Sequence, residues 1–506
     1  MIKRNKFKVL PIIFCIFLLI ESCTTNRQLI NPIVKTQSGM VRGVMNETKK
    51  IVSFKGIPFA APPVGNLRWR EPQSPPMWEG IRNADTFGKS AIQIKQGFRN
   101  PYSKEFMVQN DISEDCLFLN IWTPENITAK KRAVLVFIHG GSLMEGSGAI
   151  DVYDGEELSK KGIVVVTINY RLGAFGFLAH PELTGESPNK VSGNYGLLDQ
   201  IAALKWIHSN IASFGGDPSR VTIAGQSAGA GSVNALIITP QAAGFFHGAI
   251  TESGSRLIND RQIMPLLTDA EKLGVKFAQS KGASNIAKLR ELTAEQLIKM
   301  DTTQAQIRFG RVIDGYYQLN NLSLVFAEGK QNDTHFMNGF NADETNYTGN
   351  KGDEFISLYS KGNKNLEKIA GQQQSLVNAN LWMELRSKTS KTNAYEYFFT
   401  RAIPWPEHPE FGAFHTGEIP YVFNNLKMIN RPWTSIDTLV AERMSSYWIN
   451  FVKTGNPNGK GLPKWSSYQP KNRQVMEIGE KTEMIPITDN SEQYEFLKKQ
   501  LLNFKP

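Results

Sequence analysis

The sequence predicts an α/β fold in which a large, mostly parallel central sheet is covered by helices. Short runs of apolar, often β-branched residues recur along the chain, and segments with helical spacing separate them. Interior strands of parallel sheets are buried on both faces, so they read as continuous apolar runs. A chain of 506 residues is long enough for one such domain, and we expect cap-like helical insertions within residues 256–410.

The first element is a predicted targeting segment. Basic residues precede an apolar run over residues 9–20, which is shorter than a bilayer span and typical of a signal peptide. Residues 20–23, Ile-Glu-Ser-Cys, resemble a bacterial lipoprotein box. This predicts a signal peptide over 1–22, a lipid anchor on Cys23 and a single domain over 23–506. We expect export to the bacterial periplasm, outer membrane or cell surface; an ordinary secretory signal with an incidental cysteine is the alternative.

The net charge of +10 does not indicate nucleic-acid binding. The signal segment carries part of this charge, and the lysines around 361–390 are interleaved with Asn, Ser and Thr rather than with aromatic residues. Nucleic-acid surfaces combine a clustered basic patch with a recognition motif. We therefore interpret these lysines as solvated surface.

Two buried strands and a helix precede the most informative motif. The runs Ala133–Ile138 and Ile163–Ile168 are almost entirely apolar, and residues 197–211 have apolar side chains at helical spacing. This strand–strand–helix order, followed by another apolar run, is typical of a doubly covered sheet.

A serine lies at a sharp turn between a strand and a helix. The run Val221–Ile223 leads into Gly225, Ser227 follows two residues later, and a helix-compatible segment begins near Gly229. This G-x-S-x-G pattern predicts a nucleophile elbow, in which a strained turn holds a serine hydroxyl above the sheet. Because a serine hydroxyl is a weak nucleophile, it needs a base and an acid that orients the base.

The base is expected to follow the serine and the acid in chain order. Among the later histidines, His247 follows the serine too closely and His335 begins a predicted strand. His408 and His415 remain, and His415 is favoured because it lies in a loop of small residues before an apolar run. His408 lies in a more exposed setting, between Glu407 and a proline.

The acid is expected at the end of a strand. Asp343 and Glu344 follow the apolar run Phe336–Phe340, and catalytic groups of open α/β sheets gather at the carboxyl ends of strands. Only one of two adjacent carboxylates can point at the histidine, and spacing does not separate them.

Backbone N–H groups near the serine are candidates for stabilising an oxyanion. Gly140, Gly141 and Ser142 follow a predicted buried strand, and the N–H of Ala228 follows the serine. Such donors suit this role because they are oriented before the charge develops.

Motifs along nearly the whole chain resemble the type-B carboxylesterase and cholinesterase-like family of α/β hydrolases. They are FKGIPFAAPPVGNLRW (54–69), SEDCLFLNIW (113–122), INYRLGAFGFL (168–178), GNYGLLDQ (193–200), FGGDPSRVTIAGQSAGA (214–230), HTGEIPYVF (415–423) and YWINFVKTGNPNG (447–459). The resemblance implies the α/β-hydrolase fold and a serine esterase that acts on small-molecule esters through an acyl-enzyme, without a metal or organic cofactor. An amidase or peptidase on the same fold and a non-catalytic adhesion module are the alternatives.

The resemblance also assigns roles to six residues. It implies a catalytic triad and three oxyanion donors: Ser227, Glu344 and His415, then Gly141, Ser142 and Ala228.

The chain departs from the family pattern at several positions. Gln226 stands where the family usually has a glutamate, and Ser142 stands in an oxyanion loop that is usually HGGG or HGGA. The family often pairs the cysteine of SEDC with an upstream cysteine, whereas here Ala91 lies near that place, so Cys116 is expected to be free. No tryptophan lies between Ala91 and Cys116, and together with Gln226 this argues against a quaternary-ammonium substrate.

The interval from the implied acid to the implied base is shorter than the family leads us to expect. Glu344 and His415 are 71 residues apart, and the missing part would normally wall the site. We therefore expect an open site that accepts bulky or aryl esters.

Overall fold

The computed structural model describes Met1 and residues 32–95, 97, 99–127, 131–254, 264–299, 307–344 and 364–503. Residues Pro32–Pro506 form one compact unit. The predicted signal peptide and Cys23 lie outside the described residues.

The described strands and helices alternate along much of the chain. The strands are β1 Ile33–Lys35, β2 Met40–Arg42, β3 Val44–Asn46, β4 Ile51–Pro58, β5 Ile81–Asn83, β6 Ser90–Ala91, β7 Ile112–Ser113, β8 Phe118–Pro124, β9 Arg132–Ile138, β10 Val164–Ile168, β11 Gly216–Gln226, β12 Gly248–Glu252, β13 His335–Asn341, β14 Ala394–Phe399, β15 Gln474–Ile478 and β16 Thr482–Pro486. The helices are α1 Glu156–Lys160, α2 Gly173–Phe177, α3 Pro181–Glu186, α4 Tyr195–Asn210, α5 Ala228–Ile238, α6 Leu267–Ser280, α7 Ile286–Glu291, α8 Ala294–Ile298, α9 Leu322–Ala327, α10 Lys364–Ser387, α11 Ile419–Val422, α12 Ser435–Thr454 and α13 Ser491–Asn503.

Eleven of the described strands form one sheet, in the order β16-β15-β14-β13-β12-β11-β9-β10-β8-β4-β3. Neighbours from β15 to β10 are parallel, and the pairs at both ends are antiparallel. The predicted α/β class with a large, mostly parallel sheet is confirmed. Within residues 256–410, where helical insertions were expected, β13 contains the predicted apolar run Phe336–Phe340, and β14 is a further strand of the sheet that the sequence did not predict.

The apolar strands separate two layers of core. Alternate residues of β9 enter two apolar clusters, Val134, Val136 and Ile138 the first and Ala133, Leu135 and Phe137 the second. The first cluster includes side chains of α4 and α5, and the second includes side chains of α12. Because successive side chains of a strand point to opposite faces, an unbroken apolar run is required to fill both layers.

Four adjacent parallel strands end at the same edge of the sheet. β9 ends at Ile138, β11 at Gln226, β12 at Glu252 and β13 at Asn341. The residues that follow these strands therefore meet at one place, the carboxyl edge, where open α/β sheets hold their functional groups.

Cys116 is a buried free thiol, as the sequence predicted. Burial raises the pKa of this thiol well above its ordinary value, so it is a poor nucleophile. Ala91, the residue near the expected partner position, lies in β6, which pairs with β7 through Ile112 and Ser113. Backbone pairing of β6 with β7 thus brings together the two ends of the segment between Ala91 and Cys116.

A buried carboxylate holds the start of α12. Asp437 accepts hydrogen bonds from Arg401 Nε and Nη2 at 2.7 and 3.0 Å, from Tyr421 Oη at 2.8 Å and from Thr434 N at 2.9 Å. Its side chain is 0% exposed. Burial opposes its ionisation, but the hydrogen bonds from Arg401, Thr434 and Tyr421 outweigh burial and lower the pKa of Asp437 to about 2.

We predict that Asp437→Asn lowers the free energy of unfolding by about 3 kcal/mol at pH 7, because it leaves the Arg401 charge without its buried partner. The pKa of Asp437 is lower in the folded chain than its ordinary value of 3.8. Its stabilising contribution is therefore complete above about pH 4 and is lost as the pH falls towards about 2. Urea midpoints at several pH values measure the difference between the two proteins.

Glu480→Gln is the matched control. Glu480 also contacts Arg401, at 2.9 Å, but its side chain is 70% exposed, so the change should cost less than about 0.5 kcal/mol. Equal losses in the two variants, or a loss from Asp437→Asn that does not shrink in acid, would contradict the prediction.

Candidate active site

The backbone reverses sharply at Ser227, between β11 and α5. Its backbone angles are φ 56° and ψ −122°, a conformation that residues other than glycine rarely adopt. Its N–H donates to Glu252 O at 2.8 Å, and its carbonyl accepts from Gly231 N at 3.0 Å. Hydrogen bonds to β12 and within α5 therefore hold the strained turn.

Steric contacts explain why the motif has glycine at two positions. A β-carbon on Gly229 would lie 2.0 Å from the carbonyl oxygen of Ile138, and one on Gly225 would lie 2.5 Å from the backbone of Gly229. Both obstacles are backbone atoms, which cannot rotate away. The start of α5 can pack against β9 and β11 only when these positions carry no side chain.

Glu344 and His415 form a direct pair. Glu344 Oε2 lies 2.5 Å from His415 Nδ1. Glu344 Oε1 accepts from Ser253 Oγ at 2.5 Å and from Asn341 N at 2.9 Å. The carboxylate is thus fixed on both oxygens, and it orients the imidazole so that Nε2 faces away from it.

Asp343 points elsewhere, although it is adjacent to Glu344. Its Oδ2 accepts from Ala413 N at 2.8 Å, and its Oδ1 lies 2.6 Å from Lys368 Nζ. Its own N–H donates to Ala413 O at 3.0 Å. Asp343 therefore holds the loop before His415, whereas Glu344 contacts the ring.

Gln226 contacts the other nitrogen of the same ring. Gln226 Nε2 lies 3.2 Å from His415 Nε2, and the side chain of Gln226 is buried. An amide N–H can donate to this nitrogen only if the nitrogen carries no proton. The network therefore fits a neutral imidazole whose proton is on Nδ1, facing Glu344, and whose Nε2 is an acceptor.

The loop after β9 lies against the nucleophile elbow. A β-carbon on Gly140 would lie 3.1 Å from Ser227 Cβ, and Gly141 and Ser142 have φ values of 101° and 56°. Within the described residues, the N–H groups of Gly141, Ser142 and Ala228 donate no hydrogen bond. Three backbone donors beside the serine are therefore available to a ligand.

The side chain of His139 packs on Tyr170 and contacts the loop that follows β9. It is buried, its ring stacks on Tyr170 at 4.4 Å, and its Nδ1 lies 2.8 Å from Gly140 O. Burial lowers the pKa of His139 to about 4. The ring is therefore neutral at physiological pH and acts in packing.

His408, the histidine that the sequence analysis did not favour as the base, lies in a partly exposed loop. His408 Nδ1 lies 2.9 Å from Glu410 Oε1, and its side chain is 36% exposed. Its ring packs on Trp405 at 4.6 Å. These contacts leave it no part in the Glu344–His415 pair.

Two contacts of the site were not found by sequence reasoning. Ser253 donates to Glu344, and Tyr102 Oη donates to His415 O at 3.2 Å. Ser253 directly follows β12, and the sequence analysis had not predicted that strand. Tyr102 lies in an irregular segment, and no pattern in the sequence marked it.

The described part of the chain holds no group of three or more His, Cys, Asp or Glu side chains suited to a metal ion. No helix in the same part combines the length and apolar character needed to cross a membrane.

Comparison with known proteins identifies relatives over most of the chain. The sequence matches the carboxylesterase family over residues 30–384 and 357–497. It is 34% identical to fumonisin B1 esterase of Sphingopyxis macrogoltabida, over 88% of this chain and 86% of that protein. It is 33% identical to para-nitrobenzyl esterase of Bacillus subtilis strain 168, over 88% and 95%. A solved structure of PNB esterase superposes with a TM-score of 0.78 at 29% identity, covering 92% of this chain and 99% of that one.

Proposed function

The chain belongs to the carboxylesterase family, and from this membership we propose that it hydrolyses carboxylic esters through an acyl-enzyme formed on Ser227. The observation that carries the proposal is the contact between Glu344 Oε2 and His415 Nδ1, 2.5 Å long, beside the strained turn at Ser227. A carboxylate that orients an imidazole next to a partly exposed serine is the arrangement that nucleophilic acyl transfer needs.

The reaction has two similar halves. Ser227 Oγ attacks the ester carbonyl carbon and His415 Nε2 takes its proton, while Glu344 stabilises the imidazolium that forms. His415 then gives the proton to the leaving alcohol, and the acyl group remains on Ser227. Water attacks the acyl-enzyme in the same way, and the acid product leaves.

The negative oxygen of each tetrahedral intermediate is assigned to the backbone donors of Gly141, Ser142 and Ala228. A preorganised N–H donor contributes about 3 kcal/mol to such a transition state. The positive end of α5, which begins at Ala228, adds to the same field.

The substrate class is proposed to be neutral carboxylic esters with bulky or aryl groups. Gln226 gives a neutral side chain beside His415, where a carboxylate would favour a cationic ligand. The short interval between Glu344 and His415 suggests a weakly walled site. The name of one relative, para-nitrobenzyl esterase, refers to an aromatic alcohol group, which agrees with this class.

We expect Ser227→Ala to lower kcat/KM for a p-nitrophenyl ester by at least about 10⁴-fold, because no other group can form the acyl-enzyme. The wild-type protein should react covalently with a fluorophosphonate probe, and the variant should not. Release of p-nitrophenol and mass spectrometry of the labelled peptide measure the two effects.

The same assay separates the alternative functions. An amidase or peptidase would also cleave the matched anilide, and an adhesion module would neither cleave the ester nor react with the probe. A choline ester should be hydrolysed more slowly than the aryl ester. Residual activity of Ser227→Ala close to that of the wild type would refute the assignment of the nucleophile.

A second prediction concerns the two adjacent carboxylates. Glu344→Gln should lower kcat by about 10³–10⁴-fold, because the amide no longer holds the proton of His415 on Nδ1. Asp343→Asn is the matched control and should stay within about threefold of the wild type, since Asp343 contacts the loop rather than the ring. Stopped-flow and steady-state rates of the two variants are compared at one pH. A larger loss from Asp343→Asn would reverse the assignment.

Export and anchoring are part of the proposal. A signal peptide over residues 1–22 and a diacylglyceryl group on Cys23 would place the mature chain, 23–506, as one catalytic domain on the outer face of a bacterial membrane. A multiply acylated cysteine holds a protein firmly, since each buried CH₂ contributes about 0.8 kcal/mol.

We expect Cys23→Ser to move the protein from the membrane fraction to the soluble fraction after expression in a Gram-negative host. The esterase activity per molecule should not change, because the proposed reaction assigns no step to Cys23. Metabolic labelling with a clickable fatty acid should tag the wild type alone. Membrane association that survives the substitution would refute the lipid anchor.

A further inference from the structure

Two fully buried glutamates lie behind the Glu344–His415 pair. Glu252 is the last residue of β12, and Glu418 follows His415 by three positions. Both side chains are 0% exposed. The proposed reaction gives neither of them a step.

Each glutamate has one oxygen with a hydrogen-bond donor and one without. Glu252 Oε1 accepts from Trp448 Nε1 at 2.6 Å, and Glu418 Oε2 accepts from Asn341 Nδ2. Glu252 Oε2, Glu418 Oε1 and Asn341 Oδ1 are buried and have no hydrogen-bond partner in the described structure. All three are acceptors if both glutamates are ionised. A proton on a glutamate supplies the donor that such a group of oxygens lacks.

The charges around the two side chains do not favour ionisation. Neither glutamate forms a salt bridge with a lysine or arginine among the described residues. The titratable groups that face them are Glu344 and His415 of the site, Tyr397 of β14 and Tyr153 of the turn before α1.

Burial raises the pKa of Glu252 to about 8, and the hydrogen bond from Trp448 opposes this rise. Burial also raises the pKa of Glu418 to about 8, and the charges of Glu252 and Glu344 add to the rise. Because the two ionisations influence each other, the pair titrates as one unit.

We propose that Glu252 and Glu418 are positioning residues that remain protonated at neutral pH, so that Glu344 is the one negative charge behind His415. The inference rests on the proposed function and deepens it. A second carboxylate at this place would stabilise the imidazolium and raise the pKa of His415. A larger fraction of the ring would then be protonated at neutral pH, and a protonated ring cannot accept the proton of Ser227. By keeping their protons, the two glutamates leave His415 available as a base.

The inference has a distinct consequence in alkali. When the pair loses a proton to solvent, the new negative charge strengthens His415 as a base, and the attack of Ser227 becomes faster. For a rise of one unit in the pKa of the base, an intermediate Brønsted slope gives roughly a threefold increase. The rate at which a fluorophosphonate probe reacts with Ser227 should therefore fall in acid, as His415 becomes protonated, and should show a second rise near pH 8.

The first test is infrared difference spectroscopy of the full-length protein between about pH 6.5 and pH 9.5. The wild type should lose C=O signal from protonated carboxyl groups as the pH rises, and Glu252→Gln with Glu418→Gln should remove part of this change. This readout does not depend on esterase activity. If Ser227→Ala refutes the proposed function, the infrared result still reports whether the glutamates hold protons.

The second test is the pH profile of phosphonylation by a fluorophosphonate probe. In Glu252→Gln and Glu418→Gln the acid limb should stay within about 0.3 pH unit of the wild type, and in the double variant the rise near pH 8 should be absent. An acid limb displaced downward by one unit or more would show that the glutamates are ionised at neutral pH, and it would overturn the proposal. A rise near pH 8 that persists in the double variant would overturn it as well.

Glu396→Gln is the matched control. Glu396 is also buried, its pKa is also raised by burial to about 8, and one of its oxygens also has no partner. It contacts Asn380 Nδ2 at 3.3 Å, away from His415. This variant should change the infrared signal and leave the pH profile of phosphonylation unchanged. Thermal unfolding of each variant identifies any loss that comes from misfolding.

Discussion

The arrangement of the site depends on the backbone reversal at Ser227. This conformation is strained by about 1–3 kcal/mol, and it persists because neighbouring strands hold it on both sides. The N–H of Ser227 donates to Glu252 O at the end of β12, and Gly229 lets α5 approach the carbonyl of Ile138 at the end of β9. Ser227 and the N–H of Ala228, the proposed nucleophile and one proposed oxyanion donor, are therefore fixed relative to three adjacent strands. No loop has to fold correctly on its own to place them.

The same edge of the sheet concentrates acidic groups, and the chain limits their charge. Glu344 is held as a carboxylate by hydrogen bonds from Ser253 and Asn341. Asn341 also contacts Glu418 through its side chain, so one residue links Glu344, which contacts His415, to a fully buried acid. Gln226 adds a neutral amide where a further charge would act on the ring. Hydrogen bonding distinguishes the three acids: Glu344 has hydrogen-bond partners on both oxygens, whereas Glu252 and Glu418 each have one oxygen without a partner among the described residues.

Much of this could be predicted from the sequence, because the strongest signals are local. The apolar runs gave β9 and β10 to within a residue at each end, and the elbow follows from the glycines around Ser227. The choice between Asp343 and Glu344 could not be predicted from spacing, because it depends on a loop about 70 residues later. In that loop, the N–H of Ala413 donates to the carboxylate of Asp343, and Glu344 is the acid that contacts the ring of His415. The run Phe336–Phe340 predicted β13, whereas β14 was not predicted because the segments around it are polar and helical.

Closure of the segment between Ala91 and Cys116 shows how the site is assembled without a disulfide there. Gln93 Nε2 donates to Gly146 O at 2.9 Å, and Gly146 N donates back to Gln93 Oε1 at 2.8 Å. This segment also carries Tyr102, whose hydroxyl reaches the backbone of His415. One stretch of chain therefore connects the loop that follows β9 to the loop that contains His415. Since hydrogen bonds make both ties, and Cys116 is a buried free thiol, no disulfide of Cys116 takes part in bringing the two loops together.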